Sequence, residues 1–272
     1  MISPLFVFRS VFPWVPVPIR LPYGGWWVAL DDSTSDAIFK GRFETNEWKF
    51  VRRFLTSGMT VLDIGAHHGF YAILASKAVG PAGAVIAFEP SPRERRRLGR
   101  HLALNRCENV RVEPFALSGR NGEAPFHVAA RGESVFNSLR PPGTPGPVRE
   151  IKVVTRSIDS YLSGARISRV DFVKLDAEGA ELDILLGADQ LLQGRPRPVV
   201  MAEVSDLRTA KWGYPAAKIL ERPAGLGYEW FVPGVDGFLF PCGHDKDAYN
   251  FIAVPEERME ASRHLESREQ SH

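Results

Sequence analysis

The sequence predicts an α/β domain, an open and mostly parallel sheet with helices on both faces. Two observations carry that expectation. Short apolar runs at residues 60–65, 84–89, 170–176 and 198–204 each hold an acidic residue near their end. Buried parallel strands have this pattern. Helical spacing fills intervals between them, as at 70–78 and 93–105, and strands alternating with helices imply βαβ units. Right-handed crossovers then bring the loops after the strands to one edge of the sheet.

Composition bounds the class. At 272 residues, with 44% hydrophobic and 24% charged, the chain can form one large domain or two small ones and is not mainly disordered. Lys and Arg number 34 against 32 Asp and Glu, a net charge of +2, so nothing global draws it to nucleic acid or anionic lipid. Cys107 and Cys242 are the only cysteines. Their spacing excludes a disulfide framework and a cysteine-built zinc site. With 24 Gly and 21 Pro, long loops are expected.

Residues 1–19 are apolar and aromatic but broken by Arg9, Pro4, Pro13, Pro16 and Pro18. They lack the basic start and small-residue cleavage site of a signal peptide, and nothing approaches a membrane span of roughly 18 apolar residues. The expectation is an extended arm packed on the domain or on a second copy in a homodimer, in a cytoplasmic protein. Strand 26–30 and helix 46–55 follow, so that 1–56 form an arm and cap. From residue 57 the βαβ order begins: strand 60–65, helix 70–78, strand 84–89, helix 93–105, strand 110–117. Residues 119–150, rich in Gly, Pro and Arg, read as an irregular insertion over the site with at least one hairpin arm. Strand 151–155, a helical turn at 158–162, strand 170–176, helix 181–192 and strand 198–204 continue the order. Helix 216–226 and strands 228–232 and 250–254 close the domain at about residue 255, and 256–272 read as a polar, disordered tail.

The most informative segment is Asp63-Ile64-Gly65-Ala66-His67-His68-Gly69-Phe70. A strand ends in an acid, passes two glycines and enters a helix. Gly65 would let backbone approach a ligand, and Gly69 would let the helix start close beneath it. Glu89 ends the next strand, where a carboxylate can accept both hydroxyls of a ribose. A nicotinamide dinucleotide would need GxGxxG. Here the spacing is GxxxG, and Asp63 would repel a pyrophosphate. A ligand with an amino group and no phosphate suits that carboxylate, and S-adenosylmethionine is such a ligand. The plainer alternative is a tight strand-to-helix turn.

With Ala87-Phe88-Glu89-Pro90, Ala116-Leu117-Ser118 and Asp171-Phe172-Val173-Lys174-Leu175-Asp176-Ala177-Glu178-Gly179-Ala180-Glu181, this segment resembles the FkbM family of S-adenosylmethionine-dependent methyltransferases. The resemblance spans roughly residues 40–255. It implies a Rossmann-like class I methyltransferase sheet of seven strands, the last antiparallel, and methylation of a hydroxyl on a glycan, sugar or small polar metabolite. Asp63, Gly65, Ala66, His67, Gly69, Phe70, Glu89, Pro90, Ser91, Ala116, Leu117 and Ser118 would then hold the cofactor. The family usually carries Asn where this chain has His67. Asn137 and Ser138, in the insertion, match a family position expected to bind substrate hydroxyls.

Methyl transfer to an alcohol requires alignment and removal of a proton. Asp176 is the first candidate base. Lys174, two residues earlier in an apolar strand, shares its face and can pair with it. His68 is the second candidate base. Glu178 and Glu203 are candidate substrate contacts. Asp176 and Glu203 could also share Mg²⁺, although no metal is assigned. The plain alternatives are capping by Asp176, first-turn acids at Glu178 and Glu181, and a His68 without chemistry. Arg93, Arg95, Arg96, Arg97 and Arg100 read as a solvated helix face. No Asn-Pro-Pro-aromatic motif is present, which argues against a flipped-base substrate. A nicotinamide oxidoreductase and a binding protein without turnover are the rival readings.

Overall fold

The computed structural model describes residues 11–12, 14–242 and 249–259. Most of the arm's start, His244 and most of the C-terminal tail lie outside the described residues. The chain opens with a hairpin of β1 (Val17–Arg20) and β2 (Trp26–Ala29), then α1 (Ser33–Phe39) and α2 (Thr45–Phe54). The βαβ order follows as β3 (Thr60–Ile64), α3 (Phe70–Val79), β4 (Ala84–Phe88), α4 (Pro92–Leu104) and β5 (Val110–Glu113). After β6 (Ala116–Leu117), β7 (Gly122–Val128) and β8 (Arg149–Arg156) come α5 (Ile158–Ala165) and β9 (Phe172–Leu175). The chain ends with α6 (Glu181–Leu186), α7 (Asp189–Gln193), β10 (Val199–Glu203), α8 (Asp206–Thr209), α9 (Ala217–Ala224), β11 (Tyr228–Pro233), β12 (Leu239–Pro241) and β13 (Asn250–Pro255).

The central sheet runs β12-β11-β13-β10-β9-β3-β4-β5. β10, β9, β3, β4 and β5 are mutually parallel, and β13 inserts antiparallel between β10 and β11. This is the class I methyltransferase arrangement with eight strands rather than the expected seven. The extra strand is β12, which folds back on β11. Strand order reverses between β3 and β9, and an open α/β sheet binds its ligand at such a switch point. Asp63 and Lys174 are partners in register there.

Alternation along the strands sends Val61 and Phe172 to one face and Leu62, Ile64, Val173 and Leu175 to the other. The first face packs against Phe50 of α2, Ile73 of α3 and Leu98 of α4. The second packs against Ile158 of α5, Ile184 of α6 and Ile219 of α9. Burying each such side chain contributes about 1.5–3 kcal/mol. Trp27 joins the first core, fully buried, stacked on His101 at 4.1 Å and donating through Nε1 to Ser35 Oγ at 3.1 Å. The described part of residues 1–56 thus begins with a hairpin seated on α4.

Two elements break where the sequence predicts continuity. The strand expected over 110–117 divides at Pro114, which has no N–H to donate to a ladder. β6 leaves the main sheet and joins a small sheet ordered β6-β8-β7. This also removes 151–155 from the main sheet and supplies the hairpin arm of the insertion. The helix expected over 181–192 breaks at Gly187-Ala188. The Asp159 carboxylate caps the new start by accepting from Gln190 N and Leu191 N at 2.8 and 3.0 Å. Among the described residues, no helix is long and apolar enough to cross a membrane.

Candidate active site

A cleft with a cavity of about 240 Å³ lies over the C-terminal ends of β3, β4 and β9. Its floor is the glycine turn. Gly65 has φ +77°, and a Cβ there would come 1.8 Å from the Asp176 carbonyl oxygen. A Cβ on Gly69, at φ +94°, would strike Leu98 at 2.4 Å. The backbone that crowds Gly65 is the end of β9, and Gly65 itself lines the cleft. Gly69 leaves room for Leu98 of α4, a different helix from the one that starts at Phe70. His67 holds φ +48°, a left-handed conformation that Asn and His tolerate better than most residues. The turn can therefore keep its shape with His in place of the family's usual Asn.

Glu89 stands at the end of β4, buried to 4% exposure. Its Oε2 accepts from His67 N at 2.9 Å and its Oε1 from Ser91 N at 2.8 Å. A carboxylate oxygen carries two acceptor sites, so each keeps one free. Burial raises its pKa to about 8, against the opposing pull of those backbone bonds. Ala66, Phe70, Pro90, Ala116 and Leu117 also line the cleft. Ser91 and Ser118 turn elsewhere: Ser91 Oγ donates to Glu94, and Ser118 Oγ donates to Asp183 at 2.7 Å.

The other half of the cleft is a charge cluster. Lys174, only 4% exposed in its side chain, pairs with Asp176, which is 29% exposed. The expectation that the two share a face and pair is met. Burial pulls the Lys174 pKa down, but Asp176, Glu44 and Asp63 outweigh it and keep the ammonium charged. Asp63 is buried, with Oδ2 lacking a hydrogen-bond partner, and burial lifts its pKa to about 6. Glu44, unforeseen in the sequence, enters from the cap just before α2 and accepts from Tyr71 Oη at 2.5 Å. Burial lifts Glu44 to about 7.

Beyond Asp176, ligand atoms of Asp176, Glu178 and Glu203 lie within 4.8 Å of one another. Arg208, also unforeseen, supplies countercharge at 3.2 Å from Glu178 and 3.8 Å from Glu203. Burial, reinforced by the neighbouring carboxylates, raises Glu178 to about 8 and Glu203 to about 9. Glu181 takes a structural place, accepting from Ala177 N at 2.7 Å and Gly179 N at 3.3 Å.

The remaining candidates separate. Asn137 lines the cleft and accepts from Ala129 N at 2.8 Å, with Nδ2 buried and unpartnered. Ser138 is tied away from the cleft, donating to the Glu178 carbonyl at 3.1 Å. The His68 ring stacks on His67 at 3.6 Å and faces Glu94 at 3.9 Å. Burial and the Arg97 charge lower its pKa to about 2. The arginine run is not uniformly solvated, which corrects the expectation. Arg95 donates to the Glu89 and Pro90 carbonyls, and Arg97 binds Asp32 at 2.8 Å.

This donor set fits S-adenosylmethionine. Glu89 offers free acceptor sites to a ribose, and the orphaned Asp63 Oδ2 offers one to an amino group. The carboxylates of the cleft suit a ligand that carries positive charge. Fold and cleft together define a class I S-adenosylmethionine-dependent methyltransferase. The sequence profile described as the methyltransferase FkbM domain matches residues 63–229. The chain belongs to that family. It is 28% identical over 193 residues to the 2-O-methyltransferase NoeI of Sinorhizobium fredii, covering 65% of this chain and 76% of that protein. It is 25% identical over 225 residues to the antimetabolite synthetase AmbE of Pseudomonas aeruginosa, covering 70% of this chain and 10% of AmbE. Among solved structures, a methyltransferase FkbM from Methylobacillus flagellatus superposes with a TM-score of 0.47 at 16% identity, covering 73% of this chain and 44% of that one.

Proposed function

We propose that this methyltransferase acts on a hydroxyl oxygen of a sugar or other small polar metabolite. The observation that carries the reading is the Lys174–Asp176 pair, set beside Asp63 at the switch point of the sheet. The likeness to a 2-O-methyltransferase agrees with it. The bound cofactor supplies an activated methyl on a sulfonium. Glu89 and Asp63 hold the ribose and amino groups, with Gly65, Ala66, Phe70, Pro90, Ala116 and Leu117 shaping the cleft around them.

Asp176 takes the proton of the acceptor hydroxyl as the oxygen attacks. Lys174 fixes the orientation of that carboxylate through their ion pair. Glu178, Glu203 and Asn137 bind further hydroxyls of the acceptor. Residues 57–255 act as the catalytic domain. The cap before it contributes Phe43 and Glu44, and the insertion contributes Asn137. Both would exclude water from the transfer.

The test is transfer of labelled methyl from S-adenosylmethionine to a panel of sugars, phenols, amines and carboxylates. Asp176→Asn serves as the control. The reading expects an alkali-stable methyl ether and loss of transfer in Asp176→Asn. Label delivered to nitrogen or carbon acceptors would overturn it.

A further inference from the structure

A second cavity, of about 410 Å³, lies against the first and shares His68 and Ser134 with it. Ser134, which lines both, contacts His67 Nε2 through its Oγ at 2.9 Å. Helix α4 presents Arg93, Arg96, Arg97 and Arg100 to this second cavity, and Arg131 reaches it from the insertion. The four helix arginines recur at positions three and four apart, which places them on one face.

Two of the arginines are engaged. Arg97 pairs with Asp32 at 2.8 Å, and Arg93 pairs with Glu94 at 2.6 Å while its Nη2 stays buried without a partner. Arg96, Arg100 and Arg131 are exposed and have no ion-pair or hydrogen-bond partner among the described residues. Against these three guanidiniums the lining offers one further carboxylate, Asp31. The excess is local, because the whole chain carries only +2. Convergent charge in a concave site focuses positive potential. Guanidinium forks match the paired oxygens of phosphate, sulfate and carboxylate.

We infer that this cavity is an anion subsite, which docks a phosphate, sulfate or carboxylate substituent of the acceptor while its hydroxyl reaches Asp176. The inference rests on the hydroxyl-acceptor reading above and narrows the substrate to an acidic one. It also gives the arginine run a role that a solvated helix face would not have.

The test is calorimetric titration of the full chain, saturated with S-adenosylhomocysteine and at low ionic strength. The probes are glucose, glucose 6-phosphate, glucose 6-sulfate and glucuronate. At least one anionic probe should bind about tenfold more tightly than glucose, equivalent to about 1.4 kcal/mol, and added salt should weaken it. The anion with the largest gain identifies the substituent. In Arg96→Gln/Arg100→Gln the preference should vanish, while the affinity for S-adenosylhomocysteine stays unchanged and reports an intact fold. No detectable binding of any anionic probe, equal binding of charged and neutral sugars, or an undiminished preference in the variant would each overturn the inference. Binding is read here without transfer, so a failed O-methylation assay would sink the hydroxyl reading separately.

Discussion

Replacing Glu89 with Ala tests the cofactor half of the cleft most directly. The carboxyl accepts one backbone N–H on each oxygen, from Ser91 at 2.8 Å and His67 at 2.9 Å. In the binding proposed above, its remaining acceptor sites take the ribose hydroxyls. Two effects should separate. Unpairing two buried N–H groups costs about 1–3 kcal/mol each, but the substitution also relieves a carboxyl whose burial pushes its pKa to about 8. A net loss of about 2 kcal/mol is expected, or about 4–8 °C in Tm for a domain of this size. Losing the ribose contacts should weaken S-adenosylhomocysteine by about 1–3 kcal/mol, roughly 5- to 150-fold in Kd. Glu89→Gln retains one carbonyl acceptor and should show a smaller fall in both. Ribose hydroxyls favour the ionised carboxylate, so wild-type affinity should tighten between pH 6 and about pH 8.5, and Glu89→Gln should lose that dependence. The assay is calorimetry with thermal unfolding on the same samples. A folded Glu89→Ala protein that binds S-adenosylhomocysteine within about twofold of wild type would refute the assignment.

Other consequences follow from the same cluster. Glu89, Glu178 and Glu203, raised to about 8, 8 and 9 from 4.5, bind protons more tightly folded than unfolded. Their contribution to stability is complete below about pH 4.5 and is lost as pH rises through 8–9. The Tm of cofactor-free protein should therefore fall from pH 6 to pH 9, and a rising Tm would contradict these shifts. Asp176→Asn should lower transfer by about 10²- to 10⁴-fold with S-adenosylhomocysteine affinity little changed; a variant retaining full turnover would remove Asp176 as base. Lys174→Met leaves Asp63, Glu44 and Asp176 without their cation and should cost about 3–5 kcal/mol, read by denaturant unfolding. His68, lowered to about 2, should add no limb near pH 6.5 to the pH–rate profile. A limb there that disappears in His68→Gln would restore His68 as a base.

Much of the frame was legible because its signals are local. β3, β4, β9 and β10 are continuous apolar runs closed by acids, and their boundaries fall within a residue or two of expectation. The glycine turn was legible for the same reason, although the spatial cause of Gly65 was not: the crowding atom belongs to Asp176, far along the chain. The Lys174–Asp176 pair followed from strand periodicity alone. The misses have a different origin. Pro114 breaks a run that reads as continuous, and β7 pairs with β8 across the insertion. Glu44 and Arg208 lie in stretches with no motif and enter the cleft only because the cap and α8 fold over it. Ser118 and Ser138 sit where family position expects binding, yet their hydroxyls find Asp183 and the Glu178 carbonyl.

Sequence by itself determined the class of fold, the cofactor and the acidic residues at the strand ends. Each of these depends on side-chain chemistry repeated at short range, through period-two burial, glycine at forced backbone angles and acids at strand termini. Tertiary structure alone decided which charges meet. It put Glu44 and Asp63 against Lys174, and it lowered His68 to a neutral ring by burying it beside Arg97. It also paired Arg93 and Arg97 with acids and left Arg96 and Arg100 exposed at a cavity. Coulomb interactions and desolvation depend on distance and burial, and neither quantity is written in the order of residues along the chain.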